Sequence, residues 1–261
     1  MHSTAASNPH GAIKVPQITF TFWVIKILTT GMGETTSDFL VRRFDPPPIV
    51  GLAGLLLVIS LAVQIRSGCY SKWLYWWTVV IISVFGTMVA DVIHVAAGVP
   101  YAASTAAFAL CLTIILVLWH RSEGTLSIHG ISTRRRESFY WATVLATFAL
   151  GTAAGDLTAS SLGLGYLLSG VVFVALFILP FIARRIGALG EVAAFWAAYV
   201  ATRPLGASFA DWMGVGDDRG GLNWGTGMVS LGLGLAILTV VSTVTGSSAR
   251  NHWQATPSTT F

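Results

Sequence analysis

One pattern, repeated four times at constant spacing, constrains the fold more than any other feature of the sequence. Each copy consists of an aromatic residue, Trp, nine residues, Gly, four residues and Asp. The aromatic pairs are Phe22-Trp23, Tyr75-Trp76, Tyr140-Trp141 and Phe195-Trp196; the glycines are Gly33, Gly86, Gly151 and Gly206; the aspartates are Asp38, Asp91, Asp156 and Asp211. Four copies in one order predict four equivalent structural units.

Each copy lies within a long apolar stretch of a chain that is 54% hydrophobic and only 10% charged. A soluble domain carries about 25% charged residues, and a bilayer core is crossed by about 20 mostly apolar helical residues. We therefore expect an all-α integral membrane protein with eight transmembrane helices, at about residues 18–41, 49–66, 73–97, 101–119, 139–161, 164–183, 191–212 and 227–246.

The eight helices pair into four two-helix repeats, at about residues 18–68, 72–120, 138–186 and 190–246. A polar tail, residues 1–17, precedes this single membrane domain, and residues 247–261 are predicted to be a disordered tail. The sequence around Pro46 is expected to end the first span, because proline restricts the residue before it.

Basic residues predict the orientation of the helices. Ten of the lysines and arginines fall on the side of the two termini and three on the other, so the positive-inside rule makes both termini cytoplasmic. Because each repeat has two spans, all four repeats share one orientation. The basic residues are scattered at the ends of apolar runs, which excludes nucleic acid and makes the lipid bilayer the expected partner. The two cysteines form no disulfide or zinc framework.

The motif aspartates are the main candidates for a functional site. A carboxylate inside a bilayer costs roughly 2.5–3.5 kcal/mol on insertion scales, and constant spacing gives all four the same depth, about 22 Å beyond the motif Trp. Glu34 lies one helical turn before Asp38, on the same face. These five acids predict a cation- or proton-binding site. The alternative is structural, with each carboxylate accepting hydrogen bonds from neighbouring helices.

A smaller group suggests a metal ligand set. Asp91 and His94 are three residues apart and share a helix face. Together with Glu34 and Asp38 they would form an oxygen-rich site with one imidazole, which suits Mn²⁺ and less decisively Zn²⁺ or Fe²⁺. The alternative for His94 is an interfacial histidine near a helix end.

The remaining motif positions have simpler interpretations. Lys26 and Arg203 are intramembrane cations that could compensate the carboxylates, although Lys26 could instead extend its amine to the membrane surface. The four glycines are expected to pack helices closely, or else to open the helices locally. The four motif tryptophans are expected at the membrane interface.

The motif from Gly33 to Asp38, after residues 22–30, resembles a bacterial family of repeat-containing membrane-anchored proteins of uncharacterised function. All four copies match, so the resemblance covers essentially the whole chain. It implies a multi-pass protein of the bacterial inner membrane built from four two-helix units. A looser likeness to manganese and calcium exchangers with a Glu-x-Gly-Asp motif is one of fold only, because the order of these residues differs here.

These features predict a proton-coupled secondary transporter that exports a divalent metal such as Mn²⁺. A proton-coupled transporter of an organic cation and a non-transporting membrane scaffold are the alternatives. Enzymatic activity is not expected, because no nucleotide-binding loop, nucleophile elbow or metalloprotease signature is present. No covalently bound cofactor is expected, and a divalent metal would be a substrate. The pattern leaves the substrate and the oligomeric state open.

Overall fold

The computed structural model describes residues 13–254, without the side chains of residues 95–96 and 244–254. Within that range the fold is all-helical, as predicted, and has no strand. The eight α-helices are α1 Phe20–Arg43, α2 Pro46–Arg66, α3 Lys72–Asp91, α4 Tyr101–Glu123, α5 Arg134–Asp156, α6 Gly165–Arg185, α7 Glu191–Gly214 and α8 Thr226–Gln254. Short π-helices, Val92–Ala96 and Leu157–Ser161, continue α3 and α5 directly after their motif aspartates.

Six helices in the described range are long and apolar enough to cross a membrane. They are α2, α3, α4, α5, α6 and α8. The two others, α1 and α7, have 24 residues each and carry Lys26, Glu34 and Arg203, which lowers their hydropathy. All three of these charged side chains are buried. The chain therefore has the composition of a multi-pass membrane protein whose most polar helices face its interior.

The odd-numbered helices form a closed ring. Helix α1 packs on α3, α3 on α5, α5 on α7, and α7 on α1 again. Each even-numbered helix packs outside the ring, mainly on the odd helix of the next repeat: α2 on α3, α4 on α5, α6 on α7, and α8 on α1. Large apolar side chains of the even helices, such as Leu55, Val58 and Leu179, are exposed on the outer surface. The motif helices thus surround one central axis.

The motif glycines lie at close contacts between neighbouring ring helices. An added Cβ would lie 2.4 Å from Ser83 Cβ at Gly33 and 2.7 Å from Phe148 Cβ at Gly86. At Gly151 it would lie 2.5 Å from Arg203 Cβ, and at Gly206 it would lie 2.9 Å from Thr30 Cβ. Each contacted residue stands eight positions before the aspartate of the adjoining repeat. The same contact therefore recurs around the ring, and small residues allow it.

The helix ends differ from the sequence prediction in three places. Pro46 begins α2 instead of ending the first span, because α1 already ends at Arg43 and a proline is well suited to the first turn of a helix. Helix α8 continues to Gln254, so residues 247–254 are helical, and residues 255–261 lie outside the described range. Part of the predicted N-terminal tail is packed: the Lys14 N–H donates to the Ile131 carbonyl, and Val15 is buried.

Candidate functional site: an acidic cavity on the bundle axis

The structure brings the four motif aspartates and Glu34 to the walls of a single cavity of about 480 Å³. We call it the acidic cavity. It lies at the end of the ring where each odd helix connects to its even partner, opposite the N-terminal segment. Its other lining residues are Val41, Arg42, Pro46, Val50, Met88, Val92, Tyr101, Tyr166, Val215 and Arg219. A constant spacing on four ring helices is sufficient to place four carboxylates at one depth.

Three of the carboxylates have no partner within the described part of the chain. Asp91, Asp156 and Asp211 make no side-chain hydrogen bond or ion pair there. Asp38 differs, because Arg42 Nη2 donates to its Oδ2 over 2.6 Å. Arg42 is half exposed, so this pair stands at the edge of the cavity. Five acids, against Arg42 and Arg219, line the cavity, so the acids outnumber the bases around it.

Arg203 lies beneath the cavity and is fully buried. Its Nη2 donates to Glu34 Oε2 over 2.6 Å and to Thr152 Oγ1 over 2.7 Å, and also to Thr87 Oγ1. Its Nη1 donates to the Thr30 carbonyl oxygen over 3.1 Å. Glu34, Thr87 and Thr152 all stand four residues before their motif aspartates. One guanidinium group therefore contacts equivalent positions of three repeats. It also pairs with the carboxylate of Glu34, which lies 169 residues earlier in the chain.

The predicted metal ligand set is not assembled. His94 does not line the acidic cavity: its Nδ1 lies 2.5 Å from the Val99 carbonyl oxygen and its ring stacks on Tyr101. The i, i+3 relation to Asp91 assumed an α-helix, but the chain enters a π-helix at Val92, which changes the angle between the two side chains. Within residues 13–254, no group of three or more His, Cys, Asp or Glu side chains is arranged to hold a metal ion.

Lys26 neither reaches the membrane surface nor pairs with a carboxylate. It is 1% exposed, and its Nζ has no hydrogen-bond partner within the described range. The amine instead lies over the rings of Phe148 and Tyr199. The predicted charge compensation therefore applies to Arg203, which contacts Glu34, and does not apply to Lys26.

The motif tryptophans are buried inside the bundle and are not exposed at an interface. Each packs on the first motif aromatic of the preceding ring helix: Trp76 on Phe22, Trp141 on Tyr75, Trp196 on Tyr140 and Trp23 on Phe195, with ring centroids 5.7, 5.4, 6.3 and 5.7 Å apart. We call these eight residues the aromatic layer. Their exposure is at most 9%, except for Phe195, which is partly buried. The layer closes the ring at the end opposite the acidic cavity.

A second buried polar cluster, which the sequence did not reveal, lies beyond the aromatic layer. Lys14 Nζ donates to Glu137 Oε2 over 2.8 Å and to the Ile65 carbonyl over 3.1 Å, and Gln64 Nε2 donates to Glu137 Oε1 over 3.2 Å. Glu137 is 1% exposed. The only sequence signal was an acid among arginines at the start of α5, which is also typical of a solvated helix end. The cluster holds the segment before α1 against α2 and α5.

The ring and its cavity define an all-helical, four-repeat protein of multi-pass membrane type with an axial acidic site. Four matches to one family model cover residues 21–70, 74–125, 139–186 and 194–249. The chain belongs to that family, which is described as a repeat of unknown function (DUF347). No curated protein and no solved structure matches the chain. Each family match spans one odd helix and the even helix that follows it.

Proposed function

We propose that the protein is a proton-coupled secondary transporter that binds a small organic cation in the acidic cavity and exports it. The observation that carries the proposal is that Asp91, Asp156 and Asp211 line one cavity and have no hydrogen-bond or ion-pair partner among the described residues. Carboxylates kept together in an apolar bundle repel one another unless a cation or shared protons lie between them. Cation and protons therefore compete for the same groups, which is the basis of coupling.

The shape and lining of the cavity favour an organic cation over a bare metal ion. A volume of about 480 Å³ falls within the range of small-molecule sites, roughly 300–1,000 Å³. Tyr101, Tyr166 and Met88 offer apolar and aromatic surface beside the carboxylates, and aromatic faces attract organic ammonium groups. Such a lining binds both the charge and the hydrocarbon part of an amine.

A divalent metal such as Mn²⁺ is the second candidate substrate. Five carboxylates around one cavity supply the oxygen ligands that such ions prefer. Because no described group of side chains is arranged to hold a bare ion, the metal would enter with part of its water shell. Neither substrate requires enzymatic chemistry or a covalently bound cofactor.

Export follows from the placement that we propose in the membrane. All eight helices span the bilayer, with α1 and α7 shielded by the six more apolar helices, and both termini are cytoplasmic in a bacterial inner membrane. The acidic cavity then opens outward, and the aromatic layer closes the cytoplasmic side. External protons would neutralise the carboxylates and release the cation. Opening of the aromatic layer would then admit the next cation from the cytoplasm.

Single substitutions of the unpaired carboxylates test the proposal. Asp91→Asn and Asp156→Asn remove charge with little change of shape, and Asp217→Asn is the matched control because Asp217 is exposed and lies outside the cavity lining. We expect n-propylammonium, tetramethylammonium or Mn²⁺ to bind the purified control and to drive proton exchange in proteoliposomes. The cavity variants should lose at least about tenfold in affinity, which is the loss of one charged contact.

The results separate the three candidate functions. Binding of amines but not of Mn²⁺ supports the organic-cation transporter, and the reverse supports the metal transporter. A protein that binds none of these probes, and that keeps its stability after all four motif aspartates are changed to Asn, would be a scaffold. That outcome would refute transport through the acidic cavity.

A further inference from the structure

Lys26 places an amine deep inside the bundle. Its side chain leaves α1 and crosses the axis to Phe148 on α5, the ring helix opposite α1. Its Nζ lies 3.9 Å from the centroid of the Phe148 ring and 4.2 Å from that of Tyr199 on α7. Within the described residues the amine has neither a hydrogen-bond acceptor nor a carboxylate partner. The two ring faces are therefore its principal contacts.

Phe148 and Tyr199, whose two aromatic rings we call the ring pair, occupy positions that hold other residue types in the remaining repeats. Phe148 stands eight residues before Asp156, where the other repeats have Thr30, Ser83 and Arg203. Tyr199 stands 12 residues before Asp211, where the first three repeats have Lys26, Val79 and Val144. The two rings thus meet only because repeats three and four differ from the others at these positions. A lysine amine between such rings has the surroundings of an ammonium ion in an aromatic recognition site.

The ring pair also lies between the acidic cavity and the aromatic layer. Phe148 contacts Arg203 as well as Lys26, since the Arg203 Cζ lies 5.3 Å from its centroid. Arg203 in turn contacts Glu34, which lines the cavity. Tyr199 packs against Trp196 and Phe195 of the aromatic layer. A cation that leaves the acidic cavity along the axis therefore meets Phe148 and Tyr199 before it meets the closed end.

We propose that Phe148 and Tyr199 form a second cation site, specific for alkylammonium groups, and that Lys26 is its built-in occupant. This inference rests on the proposed function in one respect, namely that a transported amine displaces Lys26 as it passes along the axis. Lys26 keeps the site filled when no substrate is present. The site selects amines over metal ions, because ring faces offer no oxygen ligand and a strongly hydrated metal ion would have to lose its water shell there.

Chemical rescue tests the site itself. Lys26→Ala removes three methylene groups and the ammonium group, and n-propylammonium restores those atoms as a separate molecule; 1-propanol is the uncharged control. We expect n-propylammonium to raise the thermal unfolding temperature of purified Lys26→Ala protein more than that of the wild type, and 1-propanol to raise neither. An additional Phe148→Leu substitution should abolish the difference. Equal responses of Lys26→Ala and wild type would overturn the proposal.

Lysine labelling tests the displacement and does not require a stable Lys26→Ala variant. The chain contains three lysines, Lys14, Lys26 and Lys72, so peptide mass spectrometry after treatment with an acylating reagent reports each one separately. In wild-type proteoliposomes we expect acylation of Lys26 to rise at least threefold during exchange of tetramethylammonium, which has no N–H and does not react with the reagent, with Lys72 unchanged. Labelling of Lys26 that is the same with and without tetramethylammonium would refute the displacement.

A variant with a weakened acidic cavity distinguishes failure of the second cation site from failure of the proposed transport function. In protein carrying Asp91→Asn and Asp156→Asn, the acidic cavity is weakened and the ring pair is untouched. Rescue of Lys26→Ala that persists in this background supports the ring site, whether or not the cavity binds a substrate. Rescue that disappears there would assign n-propylammonium binding to the acidic cavity alone and overturn the second site.

Discussion

Breaking the buried pair between Glu34 and Arg203 should destabilise the protein strongly, while removing both partners should not. The Nη2–Oε2 distance is 2.6 Å and the side chains are 0% and 5% exposed, so the ion pair is largely shielded from water. Removing one partner of a buried ion pair costs about 3–5 kcal/mol, because the other charge stays buried without compensation. We expect Glu34→Gln and Arg203→Met each to lower the free energy of unfolding by about that amount.

The double variant Glu34→Gln/Arg203→Met contains neither buried charge, so its stability should recover to within about 2 kcal/mol of the wild type. The pair Arg184–Glu191 is the matched control: it has a similar distance, 3.0 Å, but both side chains are more than half exposed. Its coupling energy should be at most about 1 kcal/mol.

Double-mutant cycles of reversible unfolding in mixed detergent micelles measure both coupling energies. The reasoning predicts a coupling of about 3 kcal/mol or more for Glu34–Arg203. A value no larger than that of Arg184–Glu191 would mean that the guanidinium group is held by the threonine oxygens alone. Glu34 would then have no part in compensating Arg203.

Three further predictions concern helix packing, a second buried ion pair and backbone geometry. Gly33→Ala should destabilise the protein by about 1–3 kcal/mol through overpacking, whereas Gly51→Ala, with nothing within 4 Å of the new Cβ, should stabilise it by up to about 1 kcal/mol. Thermal unfolding of the two variants measures this difference. Equal effects on the unfolding temperature would contradict the close approach of the ring helices at Gly33. Lys14→Met should leave buried Glu137 without its cation and lower the free energy of unfolding by about 3 kcal/mol, with recovery in Lys14→Met/Glu137→Gln. Asn223 has a φ of 57°, so Asn223→Ala should lower the free energy of unfolding by about 1 kcal/mol. The change is measurable as a lower unfolding temperature. An unchanged unfolding temperature would show that the turn before α8 contributes little to stability.

The depth of the aspartates could be predicted from the sequence, because fixed spacing along a helix fixes height. Trp and Asp are 15 residues apart in every repeat, so four parallel helices place their aspartates together whatever their order. The order itself carries no such signal. Nothing in the spacing says that α7 adjoins α1, and for that reason the contact between Arg203 and Glu34 could not be derived.

The errors at Trp23 and His94 have local physical causes. An aromatic residue near the end of an apolar run has the same sequence pattern in a lipid interface and in a closed core, and only the neighbouring helix decides between them. The sequence pattern places His94 beside Asp91 only in an unbroken α-helix, and the chain enters a π-helix at Val92. The position of Lys26 has a third cause, because its aromatic contacts come from other helices, α5 and α7, whose adjacency the sequence of α1 does not indicate.

The outer packing of the even helices has a consequence for how the chain assembles during its synthesis. Helix α8 covers α1, so α1, which is synthesised first, acquires its outer neighbour only after the fourth repeat has been synthesised. Glu34 likewise acquires its buried ion-pair partner only after Arg203, 169 residues later in the chain, has been synthesised. The ring of odd helices therefore closes only after the fourth repeat is made, and products that stop after two or three repeats would remain open on one side and expose their polar interior.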